Sequence, residues 1–274
     1  MENTVKFESN SLFKKIKSML TVDLIRMLKS RLFYIMLGIA LVTPILIIVM
    51  TSMMEGTVQT DQYGNPILDE FGNPVLMEGF KTAWQSIGGL STAPMSMDLT
   101  AMCNINLIFF GISVFVCLFI SDDFRSGYSK NLFTVRSKKI DYVISKTMVS
   151  YITGVLMLLC YFIGSMLGSA ISSLSFEMDG FNISNVLMCM LSKVFLMGVF
   201  VSIFTLISVC TKSKAWLSIL ISIGGGMLLF MMIPSLTPID STIMNVILCF
   251  AGGLLFAIGL GAISNIILKK TSLI

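Results

Sequence analysis

Six long apolar runs, separated by short polar segments, constrain the fold of this chain more than any other feature. They lie at about residues 32 to 54, 100 to 120, 147 to 173, 185 to 210, 215 to 234 and 243 to 268. About 20 apolar residues in a helix cross the hydrocarbon core of a bilayer. The runs therefore predict an all-α polytopic membrane protein, built as a single domain of six transmembrane helices.

The composition agrees with this prediction. Hydrophobic residues make up 55% of the 274 residues and charged residues only 12%, and the mean hydropathy is +0.89. Soluble domains carry about 25% charged residues. The formal net charge is +4, but the basic residues are scattered among short segments beside the apolar runs, so no nucleic-acid partner is predicted.

The positions of Lys and Arg predict the orientation, because short loops rich in these residues stay on the cytoplasmic side. With both termini inside, 17 of the 19 Lys and Arg residues fall in cytoplasmic segments. Lys81 alone lies outside and Lys193 lies within a span. We therefore expect both termini in the cytoplasm, an extracellular loop at 55–99 and a cytoplasmic loop at 121–146.

Residues 9–31 place apolar side chains at helical spacing against five basic residues, which predicts an amphipathic helix. We expect this helix to lie in the membrane interface and to lead into the first span. A cleaved signal peptide is the alternative interpretation. The run at 32–54 has 23 uncharged residues and no small-residue cleavage site after it, which favours the interfacial helix.

Several classes of chemistry are disfavoured by what the sequence lacks. There is no histidine, so catalytic triads and His-based zinc sites are excluded. There is no G-x-x-x-x-G-K-[ST] motif for ATP, and the six cysteines lie in or beside apolar runs without CxxC spacing. We expect a chain that is not an enzyme and carries no metal or cofactor. If it performs work, the energy must come from a source outside this chain.

The extracellular loop contains an eight-residue repeat, since residues 63–70 read YGNPILDE and residues 71–78 read FGNPVLME. Gly-Asn-Pro favours turns, and the apolar pairs between them favour short strands, so the repeat predicts a small hairpin-like cap. This cap is either an ordered loop without a ligand or a lid over a translocation path. Glycines at 224–226 and 252–253 indicate either close helix packing or broken helices.

Lys193 is the only cation inside a predicted span. It lies roughly 12 Å from the outer end of that span, near the limit of what a lysine reaches by snorkelling. One interpretation is a snorkelling lysine near Glu177 or Asp179. The other is a cation that faces a water-filled substrate path, because an intramembrane charge is costly to keep without a role.

The loop at 121–146 holds nine charged residues between two uncharged runs. It resembles the cytoplasmic coupling loop of ABC-2 type permease subunits, which has an acidic residue, x-x-x-Gly, a short helix, Ser-Arg or similar, and a Lys before the third span. The matching positions are Asp123, Gly127, Leu132 with Phe133, Ser137-Lys138 and Lys146. Two departures are an Asp where Glu is commoner and the absence of a proline before Ser137. The motif covers only this loop, while the resemblance in topology covers the chain.

The resemblance implies the permease subunit of an ATP-driven exporter in the bacterial plasma membrane. It implies a cytoplasmic ABC ATPase partner that carries ATP and Mg, and a second permease copy, identical or related, with the substrate path between the copies. The chain looks most similar to small permeases that export, or give immunity to, lantibiotics, bacitracin-like antibiotics or phenol-soluble modulins. The implied substrate is then an amphipathic peptide, with membrane lipid as the surrounding partner.

The same resemblance implies which residues dock to the ATPase. Apolar side chains would fill a groove and basic ones would contact its acidic rim, with the acidic residue and the glycine shaping the loop. The expected coupling residues are Asp123, Arg125, Gly127, Tyr128, Lys130, Leu132, Phe133, Val135, Arg136 and Lys138. The alternative is a basic loop that only sets topology.

Three rival functions remain open from the sequence: a stand-alone secondary transporter or channel, a non-transporting immunity or scaffold protein that sequesters peptide, and an intramembrane enzyme. Secondary transporters usually bind coupling ions through carboxylates near the middle of the membrane. None of the six predicted spans contains Asp or Glu.

Overall fold

A computed structural model of the chain describes residues 2–61, 63–69, 71–91, 103–135 and 139–270, with side chains from residue 14 onward except those of residues 15 and 135. Within these ranges the chain is helical apart from its loops and a few isolated β-bridges. The helices are α1 (Glu2–Lys29), α2 (Arg31–Met54), α3 (Ile108–Arg125), α4 (Tyr128–Val135), α5 (Ile140–Ile171), α6 (Ile183–Thr211), α7 (Ala215–Phe230), α8 (Ile233–Leu236) and α9 (Ile243–Lys270). Short 3₁₀ turns occupy Ala83–Ser86 and Ile105–Leu107.

Five of the described helices are long and apolar enough to cross a membrane: α2, α3 with its preceding 3₁₀ turn, α5, α6 and α9. They indicate a multi-pass membrane protein. Helix α7 is apolar but has only 16 residues, or about 24 Å at 1.5 Å per residue, against a hydrocarbon core of about 30 Å. The sixth crossing, expected at 215–234, therefore stays a prediction, as does the orientation of the termini.

The boundaries of the helices differ from the expected ones around the 121–146 loop. Helix α3 continues to Arg125, so it includes two acidic residues that we expected in water, and α5 begins at Ile140, seven residues before the expected start of the third span. The segment between α3 and α5 is correspondingly short and contains the eight-residue helix α4. The loop is therefore mostly helical where the structure describes it.

Helix α1 ends at Lys29, and an extended Ser30 separates it from α2. Its buried positions Met19, Asp23 and Met27 recur every four residues and face the bundle. Val22 and Leu28 are among the exposed apolar side chains beside this stripe. Helix α1 therefore packs on one face and leaves apolar side chains open on another, while its place in the membrane interface stays a prediction.

Helix α3 lies at the centre and packs against α2, α5, α6 and α7, while α2 runs along α5 and α9 runs along α6. Glycines permit the two long contacts. A Cβ at Gly164 would overlap the carbonyl oxygen of Leu41 in α2, and one at Gly253 would lie 2.8 Å from the carbonyl oxygen of Phe195 in α6. The glycine groups at 224–226 and 252–253 each lie inside a continuous helix, so neither group marks a break.

The eight-residue repeat forms a ring of three extended segments rather than a two-stranded hairpin. The amide of Ile67 donates to the carbonyl of Gln59, that of Val75 to Ile67, and that of Gln59 to Val75, each at 2.8 Å. The three residues are spaced eight apart: Ile67 and Val75 occupy equivalent positions of the two repeats, and Gln59 lies eight residues before the first of them. The ring closes because the third segment returns to the first.

Two identical turns link the segments of the ring. The carboxylate of Asp61 accepts the backbone amides of Tyr63 and Asn65, and that of Asp69 accepts the amides two and four residues ahead in the same way. These backbone hydrogen bonds lower the pKa of both carboxyls. In each turn the carboxylate accepts two backbone amides that would otherwise bond to water. Each Asp therefore fixes the conformation of its Gly-Asn-Pro turn.

The segment that follows the ring, from 79 to 91, packs on the bundle. Phe80 and Ile87 are buried there, and the indole of Trp84 donates to the carbonyl of Phe176 at 3.1 Å. Asp240 accepts the backbone amide of residue 91 at 2.9 Å. This segment is therefore anchored to the connections that precede α6 and α9, while the ring beyond it is exposed.

Candidate functional site

Four buried or half-buried charges meet where α1, α3 and α5 come together. Asp23 on α1, Asp123 on α3 and Lys146 on α5 have fully buried side chains, and Arg26 is 30% exposed. The Lys146 ammonium lies 2.9 Å from Asp23 and 2.7 Å from Asp123, and the Arg26 guanidinium lies 2.8 Å from Asp123. We call these four residues the charge cluster.

Neutral and aromatic groups complete the charge cluster. The hydroxyl of Tyr142 donates to Asp123 at 3.1 Å, and that of Ser145 donates to Asp23 at 2.6 Å. The Lys146 ammonium lies 4.1 Å from the ring centroid of Phe119, and the Arg26 guanidinium lies 4.0 Å from that of Tyr128. Cation–π contacts of this kind strengthen as water is removed, and each cation here contacts an aromatic face as well as a carboxylate.

The charge cluster contains two acids and two bases, so it is electrically balanced. Buried ion pairs add little net stability, but removing one partner leaves an uncompensated charge and costs about 3–5 kcal/mol. Burial is the largest single effect on the pKa of Arg26 and lowers it, but attraction and hydrogen bonding to Asp123, with smaller contributions from Tyr128 and Asp23, together outweigh burial, so the net shift is upward. The cluster therefore joins three helices in one arrangement and penalises their separation.

Helix α4 begins beside the charge cluster. Gly127 has a φ of +77°, a left-handed conformation that glycine adopts without steric cost, and it turns the chain sharply between α3 and α4. Tyr128 follows it and lies half-buried under Arg26. Phe133 is also half-buried, with its ring centroid 5.3 Å from that of Tyr142 on α5.

The expected coupling residues thus separate into two groups. Asp123 is buried in the charge cluster, and Tyr128, Leu132 and Phe133 are half-buried against the chain itself. The exposed members are Arg125 and Lys130. The side chain of Val135 and all of Arg136 and Lys138 lie outside the described residues. A docking role for any of them stays a prediction.

A small second core holds α4 against the ends of other helices. Leu132 and Phe133 pack on a buried group from α1, α5, α6 and α9, namely Met19, Tyr142, Val143, Val209 and Leu268. The ammonium of Lys139 donates to the carbonyl of Leu268 at 2.7 Å, near the end of α9. Movement of α4 would therefore disturb a core to which four helices contribute side chains.

The sequence interpretation matched Asp123 and Lys146 to a motif but missed Asp23 and Tyr142. One signal was available for Asp23: it is the single acidic residue in the amphipathic helix predicted at 9–31, and it stands four residues from Met19 and from Met27 on the apolar face. A carboxylate buried in an apolar stripe is costly unless a cation pairs with it, and Lys146 forms that pair with Asp23.

Lys193 lies fully buried in α6, about 15 Å along the helix from its first residue Ile183. Its ammonium donates to the side-chain oxygen of Asn106 at 2.7 Å, and to the hydroxyl and carbonyl of Thr237 at 2.8 and 3.4 Å. Three acceptors match the three N–H donors of a lysine. Among the described residues, no carboxylate oxygen lies within 4.0 Å of it.

These contacts put the ammonium at Asn106 and Thr237 rather than at Glu177 or Asp179. The side chain of Asn104 accepts the backbone amide of Asn106, which fixes the turn that presents the Asn106 oxygen. Lys193 therefore joins α6 to the start of α3 and to the connection between α8 and α9. Its role in a substrate path stays a prediction.

An apolar cavity of about 310 Å³ lies beside Lys193, between α6, α8 and α9. Its walls include Phe200, Leu236, Cys249 and Phe256. The part of the chain that the structure describes holds no group of three His, Cys, Asp or Glu side chains suited to a metal ion. The cavity suits an apolar group rather than a charged one.

Comparisons of the chain with protein-family models, with curated proteins and with solved structures each found no match.

Proposed function

We propose that this chain is the membrane-spanning permease subunit of an ATP-driven exporter, and that it moves amphipathic peptides out of the bacterial cell. ATP hydrolysis would occur on a separate ABC ATPase that binds ATP and Mg, and two permease copies would enclose the path. The chain itself would have no catalytic residues. The apolar cavity beside α6 supports a substrate with an apolar face.

One observation carries this proposal: a short helix, α4, stands next to the buried charge cluster that joins α1, α3 and α5. A pump whose ATPase is a separate protein needs an element that receives the conformational change of the ATPase and transmits it to the spans. Helix α4 packs on a core drawn from α1, α5, α6 and α9, and its Tyr128 ring lies 4.0 Å from the Arg26 guanidinium, which is paired with Asp123. Displacing α4 would therefore disturb the charge cluster rather than bend a free loop.

The rival interpretation, a stand-alone secondary transporter, is less well supported. Such a protein needs carboxylates near the middle of its spans to bind coupling ions. In the described spans the carboxylates lie at helix ends, with Asp122 and Asp123 in the last turn of α3 and Asp141 in the first turn of α5. Asp123 is moreover already paired with two cations.

The test is purification of the tagged, detergent-solubilised chain from its native membrane, followed by identification of copurifying proteins and assay of ATP hydrolysis. We expect a P-loop ATPase to copurify and its activity to rise with added amphipathic peptide. A chain that purifies without any ATPase, yet moves peptide in vesicles driven by an ion gradient, would refute the proposal.

Variants of α4 test the coupling role within the same assay. Phe133→Ala combined with Tyr128→Ala should weaken ATPase binding, on the order of 1–3 kcal/mol for a single aromatic anchor. The matched control is Phe71→Ala, which removes an 88% exposed aromatic ring from the extracellular loop and should leave binding unchanged. Wild-type binding and stimulation in the double variant would mean that the loop only sets topology.

A further inference from the structure

The apolar cavity between α6, α8 and α9 lies at the depth of the hydrocarbon core. On α6 its wall covers residues 196–200, which lie within about 5 Å of the midpoint of that helix. On α9 its wall covers residues 248–256, which lie within about 13 Å of the midpoint of that helix. The hydrocarbon core extends about 15 Å to either side of its middle, so both walls fall within it when the two helices cross a membrane.

The cavity opens on the outer surface of the bundle. Its floor is formed by side chains that are almost fully buried, such as Phe200 at 2% and Cys249 at 3% exposure. Its rim contains Met232 and Leu248, each 56% exposed. Exposed apolar side chains such as Leu255 continue the surface of α9 beyond the rim. The opening is therefore continuous with the surface that a bilayer covers.

Two features of the chain leave this space unfilled. Helix α7 ends at Phe230 after 16 residues, and the short helix α8 follows it. The wall of α9 includes Gly252, which has no side chain. The nearest described atom to a Cβ added at Gly252 would be Val199 Cγ2 at 3.9 Å, an ordinary van der Waals distance. The space beside Gly252 is therefore large enough for a side chain.

The depth and the lining of the cavity indicate its occupant. The bilayer core contains no water, and an empty apolar cavity forfeits dispersion contacts. An apolar cavity of about 150 Å³ in another protein stays dry and binds benzene. The present cavity, at about 310 Å³, is about twice that volume. A helix of a second copy is about 10 Å across, so it would cover the rim without filling the space.

We propose that this cavity binds an acyl chain of a membrane lipid, which enters from the bilayer between α8 and α9. Residues 248–256 span about 12 Å along α9, so the chain lies alongside that helix and contacts Phe200 and Cys249. Acyl chains are the apolar groups that surround the rim in a membrane. The proposal does not depend on what the protein transports or on an ATPase partner.

The test uses the full chain in phosphatidylcholine vesicles that contain a small fraction of phosphatidylcholine with a photoreactive diazirine in the middle of one acyl chain. After illumination, the crosslinked residues are identified by mass spectrometry. We expect crosslinks at Phe200 and Cys249, which the bulk bilayer does not reach, as well as at Leu255. Leu255 is 71% exposed and lies, like Phe200, within about 5 Å of the midpoint of its helix, so it reports ordinary contact with lipid.

Gly252→Leu should fill the cavity and abolish the crosslinks at Phe200 and Cys249, while the crosslink at Leu255 persists and shows that the variant is inserted and folded. The matched control is Gly259→Leu, the same change in the same helix, at an exposed position outside the cavity with open space around an added Cβ. It should leave all three crosslinks in place.

Two results would overturn the proposal. Labelling of Leu255 without labelling of Phe200 or Cys249 in the unaltered chain would mean that no acyl chain enters, as when a peptide occupies the cavity or a second copy covers it. Crosslinks at Phe200 and Cys249 that persist in Gly252→Leu would mean that the probe reaches these residues by another route. Neither readout involves ATP hydrolysis or peptide transport, so failure here is distinct from failure of the proposed function.

Discussion

Replacement of Lys146 by methionine tests the charge cluster most directly. Methionine keeps most of the apolar stem but removes an ammonium that lies 2.9 Å from Asp23, 2.7 Å from Asp123 and 4.1 Å from the ring centroid of Phe119. Two carboxylates then share the half-exposed Arg26 as their cation, so the cluster carries an uncompensated negative charge.

The expected cost of Lys146→Met is about 3–5 kcal/mol, the usual penalty for breaking a buried ion pair on one side. For a chain of this size that corresponds to a fall in melting temperature on the order of 10 °C. A second change should restore part of the loss. Asp23→Asn in the Lys146→Met background returns the cluster to balance, while the amide oxygen still accepts from Ser145, so we expect at least about half of the stability to return.

The assay is thermal unfolding of the purified chain in one detergent, followed by circular dichroism and by the appearance of reactive cysteine. Lys130→Met is the matched control, because it removes the same charge from an exposed position on the neighbouring helix α4. If Lys146→Met and Lys130→Met lower the melting temperature equally, or if Asp23→Asn makes Lys146→Met worse, the cluster does not act as a balanced unit.

Three further predictions concern other parts of the molecule. Gly164→Ala should lower the melting temperature by several degrees because its Cβ would overlap backbone of α2, whereas Gly259→Ala, with open space around the added Cβ, should not; equal effects would refute the close contact. The carboxyl of Asp69 should titrate by nuclear magnetic resonance with a midpoint below its ordinary pKa of 3.8. Since the folded pKa is the lower one, the Asp69 turn is stabilised above pH ~4 and loses that contribution as the pH falls through the folded value; a midpoint at or above 3.8 would contradict the turn geometry. Lys193→Met should destabilise the chain by about 1–3 kcal/mol by leaving the buried Asn106 oxygen unpaired, and Lys193→Arg should not restore it; unchanged stability would place the ammonium elsewhere.

The general plan of the fold followed from local patterns in the sequence. Apolar runs of about 20 residues identified the long helices, and the spacing of apolar and basic residues identified α1. The resemblance of the 121–146 loop implied a short helix after Gly127, and α4 lies there. Each of these signals is contained in one segment, which is why it could be recognised without knowing what the segment touches.

The charge cluster could not be predicted in the same way, because its members come from distant segments. Lys146 and Asp23 are separated by 123 residues, and Lys193 and Asn106 by 87. The pair formed by Asp123 and Lys146 also explains why α3 and α5 extend beyond the apolar runs at 100–120 and 147–173. Charged residues normally end a span in water, but Asp123 and Lys146 neutralise each other, so both helices continue with these side chains buried.

The ring formed by the eight-residue repeat limits how that repeat can change in length. Each segment donates one hydrogen bond to the segment eight residues before it, and the first segment donates back to the last, so the three positions 59, 67 and 75 form a closed cycle. Duplication of one repeat would require a four-sided cycle with wider corners, and deletion would leave two segments that cannot close. Closure of the ring therefore fixes the number of repeats. The exposed side chains at its turns, such as Tyr63 and Phe71, can be replaced without opening the ring.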